Sequence, residues 1–274
     1  MAEADLFSLE QRVAVVTGGA GILGFEHSLA LASKGCRVAM ADLNVSRAKD
    51  QASKLNETLG AEMVFPFELD VTSSESIEIL LKDLLRSLGR IDILINNAAI
   101  DPKVEDNGLS SRLEHFPEEE WQRQIDVGLT GAFLCSKRLG AHMARQMRGV
   151  ILNIASDLSV IAPDQRLYAK PEIAPERQVV KPVSYSVIKT ALIGLTRYLA
   201  SYWAAQGVRV NALSPAGVGD RVDDDFRRRI CNLIPMGRMA TRSDYHGTIQ
   251  YLCSDASAYM TGQNIVVDGG RSII

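Results

Sequence analysis

A chain of 274 residues, 46% hydrophobic and with a net charge of −3, has room for one large α/β domain. That balance supplies no basic field for nucleic acid, and no run approaches the roughly 18 apolar residues of a membrane span. The acidic start (Met1-Ala2-Glu3-Ala4-Asp5) does not read as a signal peptide, Cys36, Cys135, Cys231 and Cys253 form no paired motif, and the histidines are scattered. The expectation is a cytoplasmic protein with reduced thiols, no metal and no membrane or nucleic-acid partner.

The β-branched run at 12–16 predicts a buried strand. Thr17-Gly18-Gly19-Ala20-Gly21-Ile22-Leu23-Gly24 follows at once, then a helix over 26–32 with a glycine stop at Gly35, then a strand over 36–41 that ends at Asp42. Strand, glycine turn, helix, strand and acid together predict a dinucleotide site. The glycines admit a pyrophosphate against the positive end of the helix, and Asp42 would accept hydrogen bonds from the adenosine ribose. A carboxylate there repels a 2′-phosphate, so NAD is expected rather than NADP.

Helix and strand go on alternating. A helix is expected over 45–59, a strand over 63–69 leading to Asp70-Val71, and a helix capped by Ser73 or Ser74 that runs to about 88. A fourth strand over 91–95 ends in Asn96-Asn97-Ala98-Ala99, where small residues let backbone and cofactor approach. Residues 101–117 read as a polar loop. A helix then runs from 121 to 147 with a break expected at Gly128, and a fifth strand over 150–155 ends in Ser156, at the carboxyl end of the sheet where ligands gather. This pattern predicts a doubly wound parallel sheet with helices on both faces, in one domain spanning 1–274.

Residues 157–182, rich in proline and charge, read as an inserted loop on the substrate side. Beyond it lies Ser184-Tyr185-Ser186-Val187-Ile188-Lys189. Tyr185 and Lys189 are four apart, hence on one helix face, and an ammonium beside a phenol favours the phenolate. Such a tyrosine serves as a general acid or base near neutral pH. A sixth strand is expected over 208–213, an exposed helix carrying Asp223-Asp224-Asp225 and Arg227-Arg228-Arg229, a helix over 241–252, and a last strand over 265–267 before Asp268-Gly269-Gly270.

In order and spacing these pieces resemble the short-chain dehydrogenase/reductase family, in its single-domain branch, over nearly the whole chain. The resemblance rests on Gly18 to Gly24, Asp42, Asp70-Val71, Asn96 to Ala99, Ser156, Tyr185 with Lys189, Pro215-Ala216-Gly217 and Asp268-Gly269-Gly270. It implies a seven-stranded Rossmann fold that assembles as a homotetramer or homodimer. It implies Tyr185 as the acid/base, Lys189 as the residue that tunes Tyr185 and holds the nicotinamide ribose, and Ser156 as hydrogen-bonded to the reacting oxygen. The cofactor site it implies comprises Gly18, Gly21, Ile22, Leu23, Gly24, Asp42, Leu43, Asp70, Val71, Asn97, Ala98, Ala99, Tyr185, Lys189, Pro215, Ala216 and Val218. Substrate contacts are expected from Ser156, Asp157, Arg166 and Tyr168, and Lys170 and Arg177 add charge for an anionic substrate group.

The chain departs from the family pattern in four places. Ile22 stands where the branch usually has a second glycine, a spacing closer to the epimerase-type branch. Gly128 stands where the family usually has a catalytic asparagine that holds a relay water. Ala216 replaces a glycine, and no threonine follows it in the next residues. Ser156 and Tyr185 are 29 positions apart, more than the family norm. Residues 157–164 and 234–240 are similar to members linked to bacterial surface-sugar or flagellin-glycan modification. The expected activity is hydride transfer between NAD and a secondary alcohol or ketone, with a sugar-derived compound as a candidate substrate. The alternatives are an NAD-binding scaffold impaired at Gly128 and an NAD-retaining sugar epimerase.

Overall fold

The computed structural model describes residues 5–100 and 111–274. Seven strands form one sheet in the order β3-β2-β1-β4-β5-β6-β7, with every neighbouring pair parallel. They are β1 (Val13–Thr17), β2 (Arg37–Asp42), β3 (Val64–Glu68), β4 (Ile93–Asn96), β5 (Gly149–Ile154), β6 (Val208–Pro215) and β7 (Asn264–Val267). The inner strands are apolar at almost every position because both faces are covered. Ala14, Val16, Met40 and Ile95 pack beneath α1 (Ile22–Ala32), α2 (Val45–Leu59) and the late helix α7 (His246–Cys253). Their neighbours Val13, Val15, Ala39 and Leu94 face the opposite layer, built from α3 (Ser74–Ser87), a helical run over 118–145 (α4) and α5 (Val183–Trp203). The remaining helix, α6 (Asp224–Cys231), lies outside these layers in a small cluster of its own.

The elements differ from the sequence expectation at their edges. The strand expected from residue 12 begins at Val13, because the Arg12 guanidinium turns away to the Cys253 carbonyl at 3.1 Å and the Asp255 carboxylate. β4 starts at Ile93, two residues later than expected, since the Asp92 carboxylate accepts from Val13 N at 2.9 Å and pairs with Arg90. Helix α1 begins at Ile22 rather than 26, directly out of the glycine turn. Of the two candidate caps for α3, Ser73 is the one that accepts from Ser76 N. Thr241 and Asp244 form a capping box on a short turn, and α7 proper starts only at His246.

The break expected at Gly128 is absent. α4 runs on through two π-turns, Asp126–Thr130 and Ser136–Gly140, the first containing Gly128. A Cβ on Gly128 would lie 2.9 Å from Ile188 Cγ2, so the missing side chain lets α4 press against α5.

Residues 157–182 are folded onto the body rather than solvated throughout. They carry three single 3₁₀ turns, and the Gln178 amide ties the segment together through the Lys170 amide and carbonyl at 2.8 and 2.7 Å. Leu167 and Tyr168 pack on α6, with the Tyr168 and Phe226 rings 5.4 Å apart, and Arg229 donates to the Ala169 carbonyl. This explains the paired charge runs: Asp223 caps α6, Asp224 and Asp225 pair with Arg227 and Arg228 one turn on, and Arg229 holds the segment. Of the polar loop expected at 101–117, residues 101–110 lie outside the described residues.

One buried polar chain crosses the second layer. Asn96 and Asn153 sit opposite each other on β4 and β5, and Asn96 Nδ2 donates to Asn153 Oδ1 at 2.8 Å and to Ser136 Oγ on α4 at 3.0 Å. Asn153 Nδ2 donates in turn to Thr196 Oγ1 on α5 at 2.8 Å.

Candidate active site

The carboxyl ends of β1, β2 and β4 converge on the glycine turn. Gly18 has φ +60°, a conformation that favours glycine, and a Cβ there would stand 2.9 Å from Ala98 Cα. A Cβ on Gly24 would stand 2.3 Å from the Gly18 carbonyl oxygen. Thr17 Oγ1 accepts from the amides of Asn97 and Ala98, both at 3.0 Å, and Asn97 Nδ2 donates back to the Thr17 and Gly18 carbonyls at 3.0 and 3.1 Å. Asn97 therefore braces the turn. Its partner Thr17, to which the sequence reading assigns no role beyond opening the glycine turn, is equally part of this lattice.

Helix α1 starts with no side-chain cap and no acidic residue in its first turn, whereas α2, α3 and α6 are capped by Asn44, Ser73 and Asp223. The first amides of α1, at Ile22, Leu23 and Gly24, thus face the open end of the turn, which suits an anion. Asp42 stands over the same turn: its Oδ2 accepts from Ala20 N and its Oδ1 from Asn44 N, both at 3.0 Å. Leu43, beside it, is 70% exposed. Asp70 is half-buried and Val71 buried at the end of β3, with the Asp70 carboxylate accepting from Thr72 N and Oγ1. Beyond β6, Ala216 N donates to the Val267 carbonyl at 3.0 Å and the buried Tyr245 hydroxyl donates to the Ala216 carbonyl at 2.6 Å. Val218 bridges to Ala240. Burial, helped by the negative charges of Asp157, Asp244 and Asp268, pushes the Tyr245 phenol well above its ordinary range, so it stays a neutral donor.

The reactive side chains lie across the next strands. Lys189 is buried on α5, and its Nζ donates to the Ile154 carbonyl at 2.8 Å. It also lies 5.7 Å from the centre of the Tyr185 ring, while Lys181 stands 3.9 Å over the same ring. Nothing in the sequence pattern singles out the Lys181 contact, since Pro182 separates it from the helix. Ser156 follows Ile154 by two residues and is 4% exposed. Its Oγ accepts from Leu158 N at 3.2 Å, as a turn-capping serine does, and donates to Asp157 Oδ1 at 2.9 Å. Asp157 Oδ2 in turn meets Arg271 Nη1 at 2.7 Å, with both side chains almost fully covered. The expected substrate residues do not form one group. Asp157 is spent on Ser156, Leu158 N and Arg271. Arg166 is 89% exposed in a bidentate pair with Asp164, which lowers the Asp164 carboxyl and raises the guanidinium. The Tyr168 ring packs at a tilt against Phe226.

The family model described as enoyl-(acyl carrier protein) reductase matches residues 19–272. A short-chain type dehydrogenase/reductase from Mycobacterium marinum is 30% identical and superposes with a TM-score of 0.83 over 97% of both chains. The chain belongs to the short-chain dehydrogenase/reductase family. It is an oxidoreductase of that family, whose dehydrogenases act on CH–OH groups and their ketones. Its relatives include an NAD-dependent glycerol dehydrogenase of Listeria innocua, 30% identical over 97% of this chain and 96% of its own. An NADP-dependent mannitol dehydrogenase of Alternaria alternata is 32% identical over 98% of this chain and 95% of its own.

Among the described residues, no group of three His, Cys, Asp or Glu side chains is placed to hold a metal, and no helix is long and apolar enough to cross a membrane.

Proposed function

We propose that the protein is an NAD-dependent dehydrogenase of a secondary alcohol in a polyol or sugar-derived substrate. The observation that carries this reading is the joint placement of Lys189 against the Ile154 carbonyl and beneath the Tyr185 ring, with Ser156 two residues along the same strand end. In this reading the Tyr185 phenolic oxygen, on the same helix face as Lys189, takes up the alcohol proton. The cofactor fits the donors present: the uncapped start of α1 for the pyrophosphate, Asp42 for the adenosine ribose, Asp70 for the adenine edge, and Pro215, Ala216 and Val218 beside the nicotinamide. NAD supplies the hydride acceptor. Tyr185 receives the hydroxyl proton, Lys189 holds the ribose and steadies the charge, and Ser156 holds the reacting oxygen.

Asp42 supports NAD over NADP. A carboxylate beside the glycine turn would repel a 2′-phosphate, and neither the turn nor Leu43 supplies a cation to offset it. A polyol substrate is supported by the glycerol and mannitol dehydrogenases among the relatives. It also accommodates the resemblance to surface-sugar enzymes, whose substrates present the same vicinal hydroxyls.

Gly128 favours a second reading, an NAD-binding scaffold without turnover. Ile188 fills the space beside position 128, so no side chain there can hold a relay water. One assay separates the two: NADH formation, followed by absorbance, from NAD⁺ or NADP⁺ against glycerol, D-threitol, xylitol, D-mannitol and amino-sugar alcohols. NAD-dependent turnover that is lost in Tyr185→Phe, with NAD affinity kept, supports the dehydrogenase. Turnover retained in Tyr185→Phe removes it.

We also propose that the protein works in the cytoplasm as a homotetramer or homodimer, the assembly being supported by exposed aromatic side chains on its long helices. Tyr198 and Tyr202 stack 5.9 Å apart on α5 while more than 60% exposed, and Phe133 is exposed on the neighbouring α4. Light scattering on the purified protein measures the assembly.

A further inference from the structure

The amino end of the sheet, opposite the candidate active site, carries a charged cluster that the chemistry above does not use. A cavity of about 530 Å³ opens there between the entries of β5 and β6, the chain just past α5 and the turn before β7. Its charged lining is Arg12, Asp92, Arg148, Arg209 and Asp255. Asp92 is already held by Arg90 at two points, 2.8 and 2.6 Å. That leaves Asp255 facing three arginines. Its Oδ2 lies 2.5 Å from Arg12 Nη2 and 3.7 Å from Arg148 Nη2. Burial works to raise the Asp255 carboxyl, but Arg12, Arg148 and Arg209 together hold it below its ordinary range.

The three guanidiniums are not equally committed. Arg12 is buried and donates to the Cys253 carbonyl at 3.1 Å. Arg209 donates to the carbonyls of Leu252, Ser254 and Met260 at 3.1, 3.0 and 3.2 Å. The carbonyls at the end of α7 bring about half a unit of negative charge, less than the two cations that face them. Arg148 differs. Its side chain is 56% exposed, and among the described residues its one ion pair is the long contact to Asp255. Its planar fork therefore keeps donors for a second oxyanion, with two fixed cations behind it. The rest of the lining includes the apolar Val150, Val208, Ala258 and Met260 and the exposed ring of Tyr259. From this placement we propose that the cavity binds a small organic anion, a phosphate ester or a carboxylate, which Arg148 grips at its charged group while the apolar wall takes its carbon body.

The site is separate from the one proposed for catalysis. Val150 lines the cavity and Ser156 lies past the far end of β5, about 20 Å away at the rise of an extended strand. A ligand here leaves the glycine turn and Ser156 free, so it binds with or without NAD. Calorimetry at constant ionic strength tests this, with inorganic phosphate, phenyl phosphate and benzoate as probes, each with and without saturating NAD⁺. Phenyl phosphate should bind several times more tightly than inorganic phosphate, because only the ester reaches the apolar wall. Phenyl phosphate ahead of benzoate marks a phosphate ester as the ligand class, and the reverse order marks a carboxylate. Arg148→Met should weaken the organic probes about tenfold, the loss of one charge-assisted contact. Asp255→Asn removes the competing carboxylate and should tighten them severalfold.

Arg148 is half-exposed, so its variants should keep the wild-type thermal midpoint, and Arg148→Glu, which reverses the charge, should abolish binding. These two variants decide the matter if Asp255→Asn fails to fold. A cluster that serves only to tie down the end of α7 predicts no binding of any probe, or equal binding in Arg148→Met and the wild type, and either result overturns the proposal. Binding that disappears on saturation with NAD⁺ overturns it too, since the anion then sits at the glycine turn. The dehydrogenase reading stands or falls separately, on turnover in Tyr185→Phe.

Discussion

The two ends of the site are built from different materials. Around the glycine turn the holding groups are backbone: carbonyls, amides, and glycines whose absent side chains let Gly18, Ala98 and Gly24 close to van der Waals distance. On the substrate side the holding groups are long side chains reaching between elements: Arg229 to the Ala169 carbonyl, Arg271 to Asp157, Tyr245 to the Ala216 carbonyl and Lys189 to the Ile154 carbonyl. A backbone lattice suits a ligand that never changes, because any added atom collides. Side-chain bridges suit a surface that can be re-cut for another substrate, because each is replaced without moving the chain.

The contrast predicts graded sensitivity. Gly24→Ala places a methyl carbon 2.3 Å from a backbone carbonyl that cannot retreat. It should cost about 3 kcal/mol of stability and most of the NAD affinity, measured by denaturant melts and NAD titration. A soluble variant with wild-type NAD affinity would break the contrast. Gly128→Asn should cost about 2 kcal/mol, since its Cβ meets a flexible side chain, Ile188 Cγ2 at 2.9 Å. Pairing it with Ile188→Val should recover much of that loss and is the fair test of a restored relay. If the single variant is already as stable as the wild type, position 128 does not set the spacing of α4 and α5.

His27 sharpens the cofactor side. It is fully buried in α1, both ring nitrogens lack a partner among the described residues, and burial with help from His246 lowers it to about 3. The unfolded chain takes up this proton below its ordinary value of about 6.5, and the folded chain does not until near 3. His27 therefore costs stability as pH falls through that window, by up to about 1.4 kcal/mol per pH unit. His27→Leu should flatten the acid limb of the stability profile, and an unchanged slope would contradict the assignment. The smallest effect belongs to the side-chain region. Arg229→Met removes one bridge at a half-exposed helix and should change stability by less than about 1 kcal/mol. It should raise KM severalfold if residues 157–182 cover the substrate. A large fall in the thermal midpoint would show that the segment is part of the core.

Legibility in the sequence follows the same division. The glycine turn, Asp42 and the strand–helix alternation were readable because their physics is local: a strand, a turn and an acid within thirty or so residues. Tyr185 and Lys189 were readable because helical spacing alone puts them on one face. Arg271 was not, since it lies 114 positions from Asp157 and only the completed sheet brings them together. The consequence of Gly128 was hidden for the same reason: the expected break is a tight approach to a distant Ile188. In residues 157–182 the abundant prolines and charges point to an inserted substrate-side loop with Arg166 facing the substrate. The apolar doublet Leu167-Tyr168 was the available clue that the segment is anchored, and Arg166 instead pairs with its neighbour Asp164 in solvent.

The chain of Ser136, Asn96, Asn153 and Thr196 acts as the key of a keyed joint. The strands around it are mostly Val, Ile, Leu and Ala, which fit one another in many alignments. If β4 slipped by one residue against β5, or α5 by one turn, several of these buried polar groups would lose their partners at about 1–3 kcal/mol each. The surrounding hydrocarbon can therefore vary in sequence while the offset between strands stays fixed, and with it the height at which Ser156 and Lys189 meet.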